Sequence, residues 1–382
     1  MCTPRESKRC LGAVGGIPAY GFLPTAEMTE HDGRGERDMN LKSGELYFIN
    51  EVDVLTGVAS NFYKIGLVKD SRQGDAANRL DEHQTGNPRK LVIVECVEAV
   101  AISDLEKSVH NRFATSRILG EWFVLNKEEL AAVITVARDL SVEQSAHSDR
   151  LKLAAELAKT ESTDEICEPN EESFEWFQRA RVAKELEKRT KALKQRSDSY
   201  FKAMIEQGLD TGLVAGWTTS TKTSFDKEKF AESHPALFDE FQKEETKLAH
   251  RFLLKSNVDA VVPELDESFI EFEGRLSDFY DNVADNSDFL EEVHLVHLEI
   301  LGFQAQAKWD FEIAEANLKA LCGTASAIDG IATWGRKFAT TTKLDEAALK
   351  RDRPDVYEDF AQEVTTRSFG VAPMRSYAIS GN

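Results

Sequence analysis

The sequence predicts an α+β protein: a small N-terminal α/β domain of order β-β-α-β-α-β, then a mainly helical region carrying two similar modules. Three observations predict it. Between Gly44 and Leu125, short apolar runs of strand-like composition alternate with charged helical stretches, with Gly, Asn and Pro between them. From Lys127 onward, apolar residues recur at helical spacing among many charges. Two later stretches, each built around a tryptophan, repeat one another.

Residues 1–40 combine Gly, Pro and mixed charge without periodicity, so an unstructured leader is expected. Arg5, Lys8 and Arg9 ahead of Leu11 to Leu23 faintly imitate a secretory signal. Gly12, Gly15, Gly16, Pro18 and Gly21 break its apolar stretch, and a cytoplasmic location is expected. Gly44 to Asn50 reads as a strand, Thr56-Gly57 as a turn and Asn61 to Leu67 as the second strand of a hairpin. Asp75 to Gln84 reads as a helix with Ala76, Ala77 and Leu80 inward, stopped by Thr85-Gly86-Asn87-Pro88. The continuous apolar run Leu91 to Val97 implies a buried strand. Ser103, with Glu106 three residues on, reads as the N-cap of a helix running to about Phe113. Glu121 to Leu125 closes a domain bounded at 41–126.

A connector, 127–173, follows, with amphipathic helices at Glu128 to Leu140 and Asp149 to Lys159 and an acidic linker from Glu161 to Glu172. Phe174 to Gln207 reads as a long charged helix of coiled-coil character, with Phe177, Val182, Leu186 and Leu193 on its apolar side. The modules are bounded at 174–256 and 290–373, separated by an acidic linker, 257–289, and followed by a tail, 374–382. One copy runs from Gly212 and Trp217 through Phe225-Asp226, Phe230 and Pro235 to Phe252. The other runs from Gly330 and Trp334 through Leu344-Asp345, Leu349 and Pro354 to Phe369. Each copy predicts a helix, a Trp-bearing strand, short helices with Pro starting the second, and a terminal strand. His294 and His297 are expected on a solvated acidic helix.

Composition narrows the function classes. A chain of 382 residues implies two or three domains. The five cysteines are scattered without a C-x-x-C pair, which argues against a structural zinc site or disulfide framework and fits a reducing compartment. No apolar run approaches the roughly 18 to 20 residues of a membrane span, so no membrane partner is expected. The formal charge is -20, yet residues 41–125 hold about ten Lys and Arg against about twelve Asp and Glu. A basic footprint on that domain must be local, from Lys64, Lys69, Arg72, Arg79, Arg89 and Lys90. The acidic remainder is expected to repel nucleic acid, leaving the tail to set target choice or assembly.

The candidate chemistry sits on the small domain. Tyr47 lies on the first strand, Lys64 on the second, Arg79 and His83 one turn apart on a helix face, and Glu106 on the second helix. A phenol, a guanidinium and a metal-binding carboxylate are the groups that cutting a phosphodiester requires. Adjacent strand residues face opposite ways, so Tyr63 and Lys64 cannot share a face without a bulge. Lys64 is expected inward, on a phosphate or lowering the pKa of Tyr47.

The motifs Gly44-Glu45-Leu46-Tyr47, Tyr63-Lys64-Ile65-Gly66, Arg79 to His83, Leu105-Glu106 and Gly120-Glu121-Trp122-Phe123, in that order, resemble the GIY-YIG nuclease superfamily. The likeness is to its phage-type branch, whose eukaryotic members are named as meiotically up-regulated gene products. It covers under a quarter of the chain. Lys64 stands where the second motif usually has tyrosine, as it often does in that branch. The resemblance implies an endonuclease acting on DNA with Mg²⁺ or Mn²⁺. Tyr47 would activate water, Arg79 neutralise the phosphate, His83 position water or the leaving group, and Glu106 hold the metal. Tyr63, Gly66, His110 and Glu121 would support them. The paired Trp modules resemble the helical tail of phage-type YqaJ exonucleases without their catalytic core, which implies a phage or mobile-element setting. A competing reading keeps the same fold as a catalytically idle module that binds nucleic acid or protein. A further one assigns the work to the acidic helical region, through a partner protein or a second copy of the chain.

Overall fold

The computed structural model describes residues 39–70, 75–255, 265–282 and 290–375. The expectations for residues 1–38, Arg72 and 376–382 lie outside them. The hairpin forms from β1 (Gly44–Val52) and β2 (Ala59–Lys69), followed by α1 (Ala76–Gln84), β3 (Lys90–Ala99) and α2 (Ile102–Arg112). A second hairpin, β4 (Arg117–Leu119) and β5 (Trp122–Val124), completes a five-stranded sheet of order β3-β1-β2-β5-β4. Strand alternation sorts the side chains. Leu46, Phe48, Tyr63, Ile65 and Phe123 enter the main core with Leu105 and Val109 of α2. Tyr47, Ile49, Val68 and Leu91 lie on the other face, with Ala76 and Leu80 of α1.

Two local expectations need correction. The single closing strand is half of the β4–β5 hairpin, whose turn places Gly120 at φ 55°. Helix α2 begins before Ser103, with Ala101 at its N-cap and no side-chain cap bond. The Gln144 side chain holds both the N–H and the carbonyl of Ala101, and Ile102 is fully buried, so tertiary contacts set the start. Glu106 is therefore not a capping residue.

The chain continues through α3 (Lys127–Ala146), α4 (Ser148–Leu157), β6 (Ile166–Cys167) and α5 (Glu171–Glu206). Capping boxes at Asn126 and Asn170 start α3 and α5. The first Trp copy supplies β7 (Ala215–Phe225), α6 (Lys227–Ser233), α7 (Pro235–Glu240) and β8 (Gln242–Leu254). Helices α8 (Glu267–Asn282) and α9 (Leu290–Cys322) follow, then β9 (Ala327–Ile328) and the second copy: β10 (Ala332–Leu344), α10 (Glu346–Asp352), α11 (Pro354–Phe360) and β11 (Ala361–Val371). Residues read as an acidic linker carry β6, which pairs in parallel with β9.

Helix α9 ties the regions together. It lies along α5, where Arg179 bonds Asp310 at 2.6 Å, and sends Trp309, Ile313 and Ala316 into the core of the N-terminal sheet. His294 and His297 are correspondingly buried rather than solvated, as is the inner face of α8 through Phe269, Phe272 and Leu276. His297 Nδ1 lies 3.0 Å from Ser197 Oγ, and burial pushes its pKa down to about 3.

The two Trp copies do not fold as separate modules: they exchange strands. β7 of the first pairs with β11 of the second, and β10 of the second with β8 of the first. The short helices of both copies meet at the far end around Phe225, Phe230, Leu349, Val356 and Phe360. The bases differ: Trp334 is fully buried with the Arg336 guanidinium 3.9 Å over its ring, whereas Trp217 is exposed. Among the described residues, no helix is long and apolar enough to cross a membrane.

Candidate active site

Tyr47 on β1 stands directly opposite Gly66 on β2, and Ile49 opposite Lys64, so Tyr47, Lys64 and Gly66 share the face covered by α1. A side chain at position 66 would begin 2.5 Å from the Tyr47 hydroxyl, and glycine makes room for the ring. Arg79 and His83 descend onto the same face from α1, and the Tyr47 hydroxyl lies 3.2 Å from His83 Nε2. Arg79 pairs through Nη1 with Glu82, while its Nε is buried without a hydrogen-bond partner. Such a donor is costly to leave unmatched.

Toward the β5 edge of the same face, Lys64 Nζ bonds Glu121 Oε2 at 2.5 Å, and the Glu121 carbonyl accepts from Ile65 N–H, fixing the turn against β2. Burial disfavours the Glu121 carboxylate, but the Lys64 ammonium outweighs it and holds the carboxyl below its usual range. Lys64 thus spends its charge on Glu121, not on Tyr47. Glu106 is half-buried on α2, with no ion pair or hydrogen bond to its side chain among the described residues. Burial and the nearby Glu121 charge push it up to about 7. Tyr47 is likewise pushed up to about 12, by burial first and then by Glu121, with Arg79 opposing and Glu106 adding. His83 is lowered by burial, Lys64 and Arg79, so its imidazole is neutral near pH 7. With its ring proton on Nδ1, the neutral His83 accepts from the Tyr47 hydroxyl at Nε2.

Of the remaining predicted residues, Tyr63 is buried in the main core on the opposite face. His110 is buried rather than at a helix surface. Its Nε2–H donates to the Ile65 carbonyl at 2.8 Å, and burial and Arg117 push it down to about 4. Sequence reasoning missed Arg117. It lies between the charges of Glu106 and Glu121, with Nε donating to the Gly120 carbonyl at 2.5 Å. Only the fold of the β4–β5 hairpin brings this cation to the carboxylates, and charge counting along the chain does not single it out.

Among the described residues, no group of three or more His, Cys, Asp or Glu could hold a metal ion. One unpaired carboxylate suits a different kind of site, in which Mg²⁺ keeps several waters and takes phosphate oxygens from a substrate. Glu106 fits that role. A cavity of about 520 Å³, lined by Arg112, Phe272, Arg275, Glu299 and Phe303 among others, contains none of the predicted site residues.

Residues 46–138 match the T5orf172 domain family. The match spans the sheet from β1 to β5 and continues into α3. No curated protein and no solved structure matches the chain.

Proposed function

We propose that residues 41–126 form a DNA endonuclease of the GIY-YIG type, hydrolysing phosphodiester bonds with Mg²⁺ or Mn²⁺. The observation that carries this reading is the Arg79 guanidinium beside the Tyr47–His83 pair, with Glu106 within electrostatic reach of the same phenol. The T5orf172 match supports it, since that domain is related to nuclease-type domains.

Arg79, whose side chain is 30% exposed, meets through its guanidinium the charge that builds on the phosphorus centre. With its pKa near 12, Tyr47 is a phenol and not a phenolate at neutral pH. Its hydroxyl oxygen takes the proton of the nucleophilic water as its own proton passes to the neutral His83 ring at Nε2. Arg117 and Lys64 flank the carboxylates and add positive potential, and Glu121 fixes the Lys64 ammonium. A divalent ion held by Glu106 would stabilise negative charge on the phosphate and acidify water.

The second reading, an idle binding module, is favoured by one observation: Lys64 is engaged with Glu121 rather than free for a phosphate. Full-length protein incubated with plasmid, single-stranded and branched DNA in Mg²⁺ or Mn²⁺ tests both. Cleavage lost in Arg79→Ala and Glu106→Ala, with cooperative melting retained, supports the nuclease. Binding without cutting, retained in Glu106→Ala, supports the idle module.

A further inference from the structure

The exchanged ribbons carry charge unlike the rest of the chain. In a protein of formal charge -20, the four strands β7, β8, β10 and β11 hold eight Lys and Arg against three Glu. The cations are also sorted. Directly paired residues of an antiparallel ribbon share a face. The β8–β10 register pairs Gly335 with Arg251, Lys337 with Ala249, Ala339 with Lys247, Thr341 with Glu245, and Lys343 with Lys243. One face therefore presents five cations and a single carboxylate, while the other presents the buried Arg336 with His250, Phe338 with Leu248, Thr340 with Thr246 and Thr342 with Glu244.

All five cations are exposed. Lys247 and Lys343 both bond Glu245, Lys337 bonds Asp164 from the body, and Lys243 and Arg251 have no ion pair among the described residues. Exposed ion pairs are worth little and exchange readily for other anions. From position 335 to 343 the face extends about 27 Å, most of the ~34 Å of one turn of B-form DNA.

We propose that this face of the β8–β10 ribbon grips duplex DNA by its phosphates, delivering it to the small domain. Charge complementarity argues for the occupant: a row of exposed cations on an otherwise acidic chain fits a polyanion. The choice of DNA over another polyanion rests on the nuclease reading above. The acidic C-terminal region thus holds DNA on one strip and repels it elsewhere.

The test measures binding of the full-length chain to a fluorescent 30-base-pair duplex in EDTA, so that no cutting occurs. Lys243→Glu/Lys247→Glu/Arg251→Glu should weaken binding at least about tenfold at low salt, and lower the slope of log affinity against log salt by about 2.7. Lys152→Glu/Lys188→Glu, exposed on α4 and α5, changes net charge and should leave affinity within about twofold. Wild type that binds no duplex, or a ribbon variant no weaker than the helix variant, overturns the proposal. An acidic protein as the true occupant would give that second result. Ribbon-dependent binding without cleavage in Mg²⁺ sinks only the nuclease reading, whereas normal cutting and binding by the ribbon variant sinks only this one.

Discussion

The Tyr47 phenol fills the space in which a side chain at Gly66 would begin: an added Cβ would stand 2.5 Å from the hydroxyl and 2.7 Å from Cζ. The two residues are direct partners across β1 and β2, so ring position and glycine are one feature. Gly66→Ala should cost about 1–3 kcal/mol by overpacking and displace the ring from His83. In a Tyr47→Ala background the same change should cost less than half as much. Urea melts of the four-member cycle check this, and additive costs would show that the ring is free to move aside.

Glu106 should control the acid side of activity. Its metal-free carboxyl titrates at about 7, and only the carboxylate binds metal, so at metal concentrations below saturation cleavage should rise through pH 7 and level off above pH 8. His83, lowered from its ordinary value by burial, titrates on the acid side of that rise. Were Tyr47 phenolate the base, the rate would keep climbing toward pH 12. A rate profile from pH 5.5 to 9.5 separates the two.

The same group sets a stability difference. The folded pKa of about 7 lies above the unfolded value of roughly 4.3, so the folded chain holds an extra proton between them and loses stability as pH rises. Glu106→Gln removes that cost. The variant should match wild type near pH 4 and exceed it by about 1–2 kcal/mol at pH 8, part of the burial term being screened by solvent. Equal melting at both pH values would contradict the burial of this carboxyl.

Lys64 and Glu121 should move the acid limb in opposite directions. Glu121 raises the Glu106 pKa and Lys64 lowers it. Glu121→Gln should therefore shift the rise in kcat/KM to lower pH, and Lys64→Met to higher pH, each by several tenths of a pH unit. Profiles of the two variants that move together would break the pairing assigned to them.

Strand exchange makes the two Trp copies interdependent. A chain ending at residue 325 keeps β7 and β8 but lacks β11 and β10, their partners. Trypsin should then cut rapidly at Lys222 and Lys243, which the intact ribbons protect by backbone pairing. Continued protection in the shortened chain would mean that the first copy closes on itself.

Much of this was legible locally. Alternation separated Lys64 from Tyr63, because successive strand side chains point to opposite faces, and a spacing of four put Arg79 and His83 on one helix face. The α2 start was not legible: Ser103 and Glu106 make a good cap pattern, but the contacts of Ala101 with Gln144, far along the chain, overrule it. Nor did anything near Arg117 mark it as a neighbour of Glu106.

The sequence by itself determined the β-β-α-β-α succession of the small domain, its motif residues and the existence of two Trp copies, since periodicity and turn residues act over a few positions. Only the tertiary structure decided which copy each strand pairs with, that α9 buries His294 and His297 and completes the N-terminal core, and which cations line up on one ribbon face. Those outcomes depend on contacts between residues far apart in the chain, 78 positions for Ala332 with Leu254 and 156 for Val371 with Ala215. Backbone pairing is the same chemistry for any partner, so the choice falls to packing of the whole chain.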